Sequence, residues 1–189
     1  LVLGAGPLGQ MATILLRLAE ANTIVADIVP EDYPKAQLVK SLGASYMDAR
    51  TRTAAELVET CCSLTGGVDM VFEASGAAET ALKLIPHMNR RSIYVMTGIP
   101  RGKLNIELDA AELVRQIVRY NQVLVGSLNS NRSHFEMAVR DMAGGIHERF
   151  AGVFEKMISR RFPPEEYQKA FDVTDPRMIK TIIEFSAWD

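Results

Sequence analysis

The residues best suited to chemistry are three glycines near the start of the chain. Gly4, Gly6 and Gly9 follow the spacing G-x-G-x-x-G. Between a strand and a helix, this spacing permits a tight turn, lets a diphosphate approach bare backbone, and allows the helix to pack closely on the strand. The spacing alone is a weak signal, and a glycine turn without a ligand is the alternative. The interpretation therefore depends on what flanks the turn.

An apolar run and a helical pattern flank this turn. Leu1–Leu3 is predicted to be a buried strand, and a helix is predicted to begin at Pro7. Proline suits the first helical position because it has no amide proton to leave unpaired, so the amide of Leu8 is the predicted phosphate donor. The predicted phosphate cradle comprises Gly4, Gly6, Pro7, Leu8 and Gly9. The helix is predicted to turn one apolar stripe to the core, formed by Leu8, Met11, Ala12, Leu15 and Ala19.

A second chemical group is the carboxylate of Asp27, at the end of the second predicted strand. A carboxylate at this place accepts hydrogen bonds from the adenosine ribose and repels a 2′-phosphate. Ile28–Pro30 follow without an arginine, so NAD is favoured over NADP, with Asp27 and Ile28 as predicted cofactor contacts. Two alternatives stay open: Asp27 caps a turn, or Lys35 or Arg50 reaches a phosphate and admits NADP.

The elements that position these groups alternate between short apolar runs and helical stretches. This alternation predicts a doubly wound parallel α/β sheet, a Rossmann fold. The predicted strands are Leu1–Leu3, Thr23–Ala26, Ser45–Met47, Met70–Glu73, Ser92–Met96 and Gln122–Gly126. Helix starts are predicted from the capping patterns of Thr53 with Glu56, Ser133 with Glu136, and Asp109 with Glu112, and Gly43 is a predicted helix end.

Two domains are predicted, with a boundary after Gly144-Gly145. Residues 1–145 are predicted to form the Rossmann domain, and residues 146–189 to form a C-terminal segment that returns to a catalytic domain. Because Leu1 already lies in a predicted central strand, we expect the chain to be part of a longer protein with its N-terminal part missing.

Composition excludes several classes of protein. The net charge is −2 over 189 residues, which argues against a nucleic-acid partner. No apolar run approaches the roughly 20 residues that span a bilayer, so no membrane partner is expected. The two cysteines, Cys61 and Cys62, are adjacent and favour a reduced, cytoplasmic setting.

With these motifs in place, the sequence resembles the zinc-dependent medium-chain alcohol dehydrogenase/reductase superfamily, and within it the archaeal-type glucose 1-dehydrogenases. The superfamily resemblance rests on the glycine turn, Asp27, and the segments Leu42–Ala44, Phe72–Gly76, Thr97–Pro100 and Tyr167–Phe171. The resemblance to the glucose enzymes rests on Ala44–Arg50, the long stretch between Asp27 and Gly43, and Gly126–Asn131 running into His134-Phe135.

The resemblance implies roles for two loops. Thr97, Gly98 and Ile99 are expected to lie beside the nicotinamide, and Ser127, Leu128 and Asn129 to hold its carboxamide, with the Asn129 side chain facing the substrate. Both loops follow the carboxyl ends of predicted strands, where doubly wound sheets bind ligands. The alternative for Asn129 is a turn residue that bonds its own backbone.

The resemblance also implies a catalytic zinc, in an N-terminal domain that this chain lacks. We expect no metal site and no catalytic residue here, because Cys61-Cys62, His87, His134 and His147 lack the spacing of zinc ligands. Glu73 resembles a structural position of the family rather than a catalytic acid.

The implied reaction is oxidation of an aldose at C1 to the lactone, by hydride transfer to NAD(P)+. This chain alone is expected to bind the cofactor and catalyse nothing. Alternatives are a polyol, threonine or simple alcohol dehydrogenase of the same superfamily, and a non-catalytic dinucleotide-sensing module. A methyltransferase is disfavoured by Pro7-Leu8-Gly9 and by the two mononucleotide halves. An unpaired sixth strand favours a homo-oligomer formed through the sheet edge.

Overall fold

The computed structural model describes residues 1–172 and 174–186 and contains a six-stranded sheet. All its strands are parallel, in the order β3-β2-β1-β4-β5-β6. These strands are β1 (Val2–Leu3), β2 (Ile24–Asp27), β3 (Ser45–Asp48), β4 (Met70–Glu73), β5 (Ile93–Met96) and β6 (Val123–Gly126). The predicted doubly wound sheet is confirmed, and each strand lies within a residue of its predicted bounds.

Helices connect these strands and cover both faces of the sheet. They are α1 (Pro7–Leu18), α2 (Pro34–Ser41), α3 (Ala54–Thr65), α4 (Ala78–Leu84), α5 (Ala110–Tyr120) and α6 (Arg132–Asp141). On one face, Leu3, Val71 and Tyr94 belong to a core that also contains residues of α3 and α4. On the other face, Val2 and Val25 belong to a separate apolar cluster. Burial on both faces explains why the central strands are continuous apolar runs.

The predicted apolar stripe of α1 is largely wrong. Ala12 is buried and Met11 is partly buried, but Leu8 and Leu15 are nearly half exposed and Ala19 is exposed. The buried face instead carries small and polar residues, namely Gly9, Gln10, Ala12, Thr13 and Ile14. The cause is close packing, because a Cβ on Gly9 would overlap the carbonyl oxygen of Gly4. A large apolar side chain cannot occupy a face that lies this near the backbone of the preceding turn.

The helix caps agree with the sequence at two of three predicted starts. Thr53 forms a capping box with Glu56, and Asp109 accepts a hydrogen bond from the Glu112 amide. The predicted Ser133 cap is wrong because α6 begins earlier, at Asn131, whose side chain accepts from the His134 amide at 3.2 Å. His134 Nδ1 in turn accepts from the Asn131 amide at 3.1 Å, so histidine takes the acceptor role that glutamate usually has.

The residues after α6 pack onto α1 and α2. A π-helical turn (Met142–Ile146) leads through short helices to a parallel strand pair, and a Cβ on Gly145 would lie 2.9 Å from Leu18. These elements are α7 (His147–Arg149), α8 (Val153–Met157), β7 (Ile158–Phe162), α9 (Tyr167–Ala170) and β8 (Lys180–Ile183). One apolar cluster joins this segment to the first two helices, and its buried members are Ile14, Leu38, Leu42, Ile146, Val153, Met157 and Ile179.

Within the described residues, no helix is both long and apolar enough to cross a bilayer.

Candidate functional site

A cleft of about 410 Å³ opens at the carboxyl ends of β1, β2 and β4. This position follows from the sheet order, because β1 pairs with β2 on one side and β4 on the other, and the connections leave in opposite directions. The cleft is lined by Leu3, Gly4, Gly6, Ala26, Asp27, Ile28, Lys35, Ala49, Arg52, Leu57, Ala74, Ser75, Gly76, Ala77 and Thr80.

The glycine turn forms one wall of the cleft. Gly4 has φ +97°, a left-handed conformation that side chains disfavour, and its amide donates to the Ala26 carbonyl at 2.8 Å. At Gly6, a Cβ would meet no atom within 4 Å, so this glycine faces open space. The fold therefore needs glycine at positions 4 and 9, whereas at position 6 it leaves room for something outside the chain.

The start of α1 presents unpaired backbone donors beside this space. Pro7 occupies the first turn of the helix, as predicted. Within the described residues, the amides of Gly6, Leu8 and Gly9 have no backbone acceptor, and the first amide to bond back is that of Gln10, to Gly6 at 2.9 Å. Free amides and the positive end of a twelve-residue helix together form a site for an anion such as a diphosphate.

Asp27 links the end of β2 to the glycine turn. Its carboxylate accepts a short hydrogen bond from the Ala5 amide and another from the Ile28 amide, at 2.6 Å. Each oxygen thus holds one backbone donor and keeps a lone-pair direction for a ligand hydroxyl. Asp27 and the exposed Ile28 both line the cleft. Asp27 therefore makes the turn-type bond to the next residue and also borders the space predicted for a ribose.

Tyr46 on β3 fixes the backbone that follows Asp27, and the sequence analysis missed this role. Its hydroxyl donates to the carbonyl of Val29 at 2.6 Å. Burial raises the pKa of the Tyr46 phenol, and the nearby carboxylates of Asp27 and Asp48 raise it further, so the phenol remains a donor. The only signal in the sequence was an aromatic residue in a short strand.

Two cations line the cleft near Asp27, and one of them was not expected. Lys35, at the start of α2, and Arg52, just before α3, both border the space. Arg50 does not line it, contrary to the expectation that it could reach a phosphate. Its guanidinium instead binds the Asp48 carboxylate at 3.0 Å, and this contact lowers the pKa of Asp48 to about 2.

The loop after β4 forms the opposite wall and was also absent from the predicted site. Glu73, which is only 3% exposed, organises this loop. One carboxylate oxygen accepts from the Ser75 amide at 2.7 Å, the Ser75 hydroxyl at 2.6 Å and the Gly76 amide at 2.8 Å. The side chain is thus committed to local structure, as the family resemblance implied.

Thr97, Gly98 and Ile99 lie against this same loop. The backbone carbonyl of Glu73 accepts from the Thr97 amide at 2.9 Å, the Gly98 amide at 3.0 Å and the Thr97 hydroxyl at 2.6 Å. A Cβ on Gly98 would overlap the Gly76 amide, so the two loops touch backbone to backbone. The structure therefore brings Thr97–Ile99 next to the wall of the cleft, although none of the three lines it.

Ser127, Leu128 and Asn129 lie at the same edge of the sheet but outside the cleft. The Ser127 amide continues the strand pairing by donating to Met96 at 2.9 Å, and all three residues are exposed. Within residues 1–172 and 174–186, the Asn129 side chain makes no hydrogen bond, so the alternative of a turn residue bonding its own backbone gains no support.

Metal ligands do not converge in the described part of the chain. There, no group of three or more His, Cys, Asp or Glu side chains has an arrangement that could hold a metal ion. Cys61 is buried and Cys62 is exposed, and neither belongs to such a group.

Comparison with known proteins identifies a family of dehydrogenases. The family described as "Glucose dehydrogenase C-terminus" matches residues 1–185. Glucose 1-dehydrogenase 2 of Vulcanisaeta moutnovskia is 35% identical over 186 residues, which are 97% of this chain and 49% of that protein. Glucose 1-dehydrogenase 1 of Caldivirga maquilingensis is 33% identical over 188 residues, which are 98% of this chain and 50% of that protein. The chain thus spans about half the length of these relatives.

A solved structure shows the same arrangement. Glucose dehydrogenase of Haloferax mediterranei, in complex with NADP, Zn and gluconolactone, superposes with a TM-score of 0.84 and 27% identity, over 99% of this chain and 50% of that one. An alcohol dehydrogenase of Thermotoga maritima superposes with a TM-score of 0.79 and 26% identity, over 96% of this chain and 48% of that one.

Proposed function

Because the chain belongs to the glucose dehydrogenase C-terminus family, we propose that it is the dinucleotide-binding part of an NAD(P)-dependent dehydrogenase. The observation that carries the proposal is the open space at Gly6, beside unpaired amides at the start of α1. A turn that served only the fold would have no reason to keep bare backbone facing a cleft.

The cofactor would extend along the carboxyl edge of the sheet. We assign the pyrophosphate to Gly4–Gly9, with the amide of Leu8 as a donor, and the adenosine ribose to Asp27 and Ile28. We assign the nicotinamide to Thr97–Ile99 and its carboxamide to Ser127–Asn129. Bound there, the nicotinamide supplies a hydride acceptor, and this chain's share of the chemistry is to bind and orient it.

We propose an aldose as the substrate, oxidised at C1 to the lactone, with the Asn129 side chain facing the sugar. The names of the relatives and the gluconolactone in the Haloferax structure support this choice. A simple alcohol is the second candidate, favoured by the similarity to the Thermotoga alcohol dehydrogenase. The described residues offer no fitting set of zinc ligands, so we assign no step of the reaction to a metal held by this chain. We further propose that residues 146–189 return to a catalytic domain.

The Gly6→Ala substitution tests the cofactor site. We expect the affinity for NAD+ or NADP+, measured by calorimetric titration of the 189-residue chain, to fall at least about tenfold, or about 1.4 kcal/mol. The added methyl group would occupy the approach to the pyrophosphate. The free energy of unfolding should change by less than about 1 kcal/mol, because the methyl group meets no protein atom and the backbone at Gly6 (φ −71°) suits alanine.

Gly126→Ala is the matched control for this experiment. A Cβ there also meets no atom within 4 Å, but Gly126 does not line the cleft, so the affinity should be unchanged. If the wild-type chain binds neither cofactor, or Gly6→Ala binds as tightly as the wild type, the proposed site is wrong.

We also propose that two copies associate through the edge of the sheet at β6. Val123 and Val125 are 49% and 41% exposed there, and an unpaired edge strand accepts a further strand. The Val125→Lys substitution should weaken self-association at least about tenfold in sedimentation equilibrium, because a lysine at the edge opposes strand addition. Leu64→Lys, on the exposed end of α3, is the control and should have no effect. A wild-type chain that stays monomeric at all concentrations would contradict the proposal.

A further inference from the structure

Two positive charges border the adenosine end of the cleft without a carboxylate partner. Lys35 reaches the cleft from α2, and Arg52 reaches it from the connection between β3 and α3. Among the described residues, no carboxylate oxygen lies within 4.0 Å of a side-chain nitrogen of either residue. Most other arginines and lysines close to an acid in this structure are paired with it, as Arg50 is with Asp48. These two charges therefore remain available to a ligand.

Arg52 is held in place by neutral groups. Its Nε donates to the carbonyl of Asp48 at 3.1 Å, and its Nη1 donates to the hydroxyl of Thr60 at 3.1 Å. These bonds fix the plane of the guanidinium but do not neutralise its charge. Arginine has five N–H donors, so the Nη2 group keeps both of its donors free. A fixed, charged fork with free donors is suited to a phosphate.

Asp27 repels an anion less than its position in the sequence suggests. Both of its oxygens accept backbone amides, from Ala5 and Ile28, and these dipoles offset part of the negative charge. Two unpaired cations then face one carboxylate across the same cleft. The balance of charge at the ribose favours an added phosphate.

We infer that Arg52, with Lys35 beside it, binds the 2′-phosphate of NADP, so that this chain binds NADP+ at least as tightly as NAD+. The inference rests on the proposed dinucleotide function and revises the NAD preference predicted from Asp27. The residues directly after β2, where the sequence analysis searched for a phosphate ligand, contain no arginine. The cation comes instead from the next connection in the chain, across the cleft.

An arginine at this place has one competing role, which is to stack on the adenine ring. Stacking would contribute equally to both cofactors, since their adenines are identical, whereas a contact with the 2′-phosphate contributes to NADP+ alone. The difference between the two affinities therefore separates these roles.

The experiment is a calorimetric titration of the full chain with NAD+ and with NADP+, at one fixed salt concentration. Arg52→Gln should weaken NADP+ binding at least about tenfold and NAD+ binding less than about threefold. Arg50→Gln is the matched control, two residues away on the same connection, and should leave the ratio of the two affinities unchanged because Arg50 is bound to Asp48. Arg52→Lys keeps the charge and should restore part of the lost NADP+ affinity.

Each contrary outcome has a distinct meaning. Equal losses for both cofactors in Arg52→Gln would overturn the inference in favour of adenine stacking. A wild-type chain that binds NAD+ but at least tenfold less NADP+ would also overturn it, while the proposed function would stand. A wild-type chain that binds neither cofactor would refute the proposed function itself. Circular dichroism of each variant verifies that a loss of binding does not reflect a loss of folding.

Discussion

Replacing Gly9 with alanine is expected to lower the free energy of unfolding by about 3 kcal/mol, the upper end of the usual cost of overpacking a core. A Cβ at this position would overlap the carbonyl oxygen of Gly4 and lie 2.9 Å from its carbonyl carbon. Both atoms are backbone, in a turn between a buried central strand and the first helix. They cannot rotate away, so the helix would have to move off the sheet.

Urea-induced unfolding of the wild-type chain, Gly9→Ala and Gly6→Ala measures this effect. The two glycines belong to the same turn, three residues apart, and the chemical change is identical. The structure nevertheless assigns them opposite roles, because Gly9 faces the Gly4 backbone and Gly6 faces open space. Similar losses of stability in the two variants would contradict this assignment, and so would a Gly9→Ala variant as stable as the wild type.

The contrast between these glycines shows what the sequence could predict. The turn and strands were predictable because each depends on local signals, namely three spaced glycines and apolar runs between turn residues. The buried face of α1 was not, because it depends on the distance between helix and sheet. At a very close approach, Gly9 and Thr13 are favoured over Leu8 and Leu15.

The composition of the cleft was only partly predictable for a different reason. Ala74–Ala77 line it because β4 lies next to β1 in the sheet, although about 70 residues separate them in the chain. The choice between Arg50 and Arg52 depends on the direction of two long side chains, one held by a carboxylate and the other by a carbonyl and a hydroxyl. Sequence spacing carries no information on either point.

Glu73 provides the second large effect, because one residue holds both loops at the nicotinamide end of the proposed site. Its carboxylate accepts three donors from Ser75 and Gly76, and its backbone carbonyl accepts three from Thr97 and Gly98. A substitution removes only the first set. The Glu73→Leu substitution would leave two amides and a hydroxyl without an acceptor, in a region where the side chain is 3% exposed.

We expect Glu73→Leu to lower the free energy of unfolding by at least about 3 kcal/mol, since a hydrogen bond to a charged group contributes about 1.5–3 kcal/mol. Glu73→Gln keeps an oxygen acceptor of the same reach and should lose less than half as much. Urea unfolding of the two variants measures the difference. Equal losses would mean that the carboxylate charge, and not its acceptor geometry, holds the loop.

Titration separates this positioning role from a general loss of stability. Because Ser75 and Gly76 pack against Thr97–Ile99, a loosened loop should weaken binding of NAD+, which carries the nicotinamide, several-fold more than binding of ADP-ribose, which lacks it. A merely destabilised chain that is still folded at the temperature of the titration would bind both ligands as the wild type does. If Glu73→Gln weakens NAD+ and ADP-ribose equally, Glu73 does not position the nicotinamide end, and the assignment of Thr97–Ile99 to the nicotinamide loses its support.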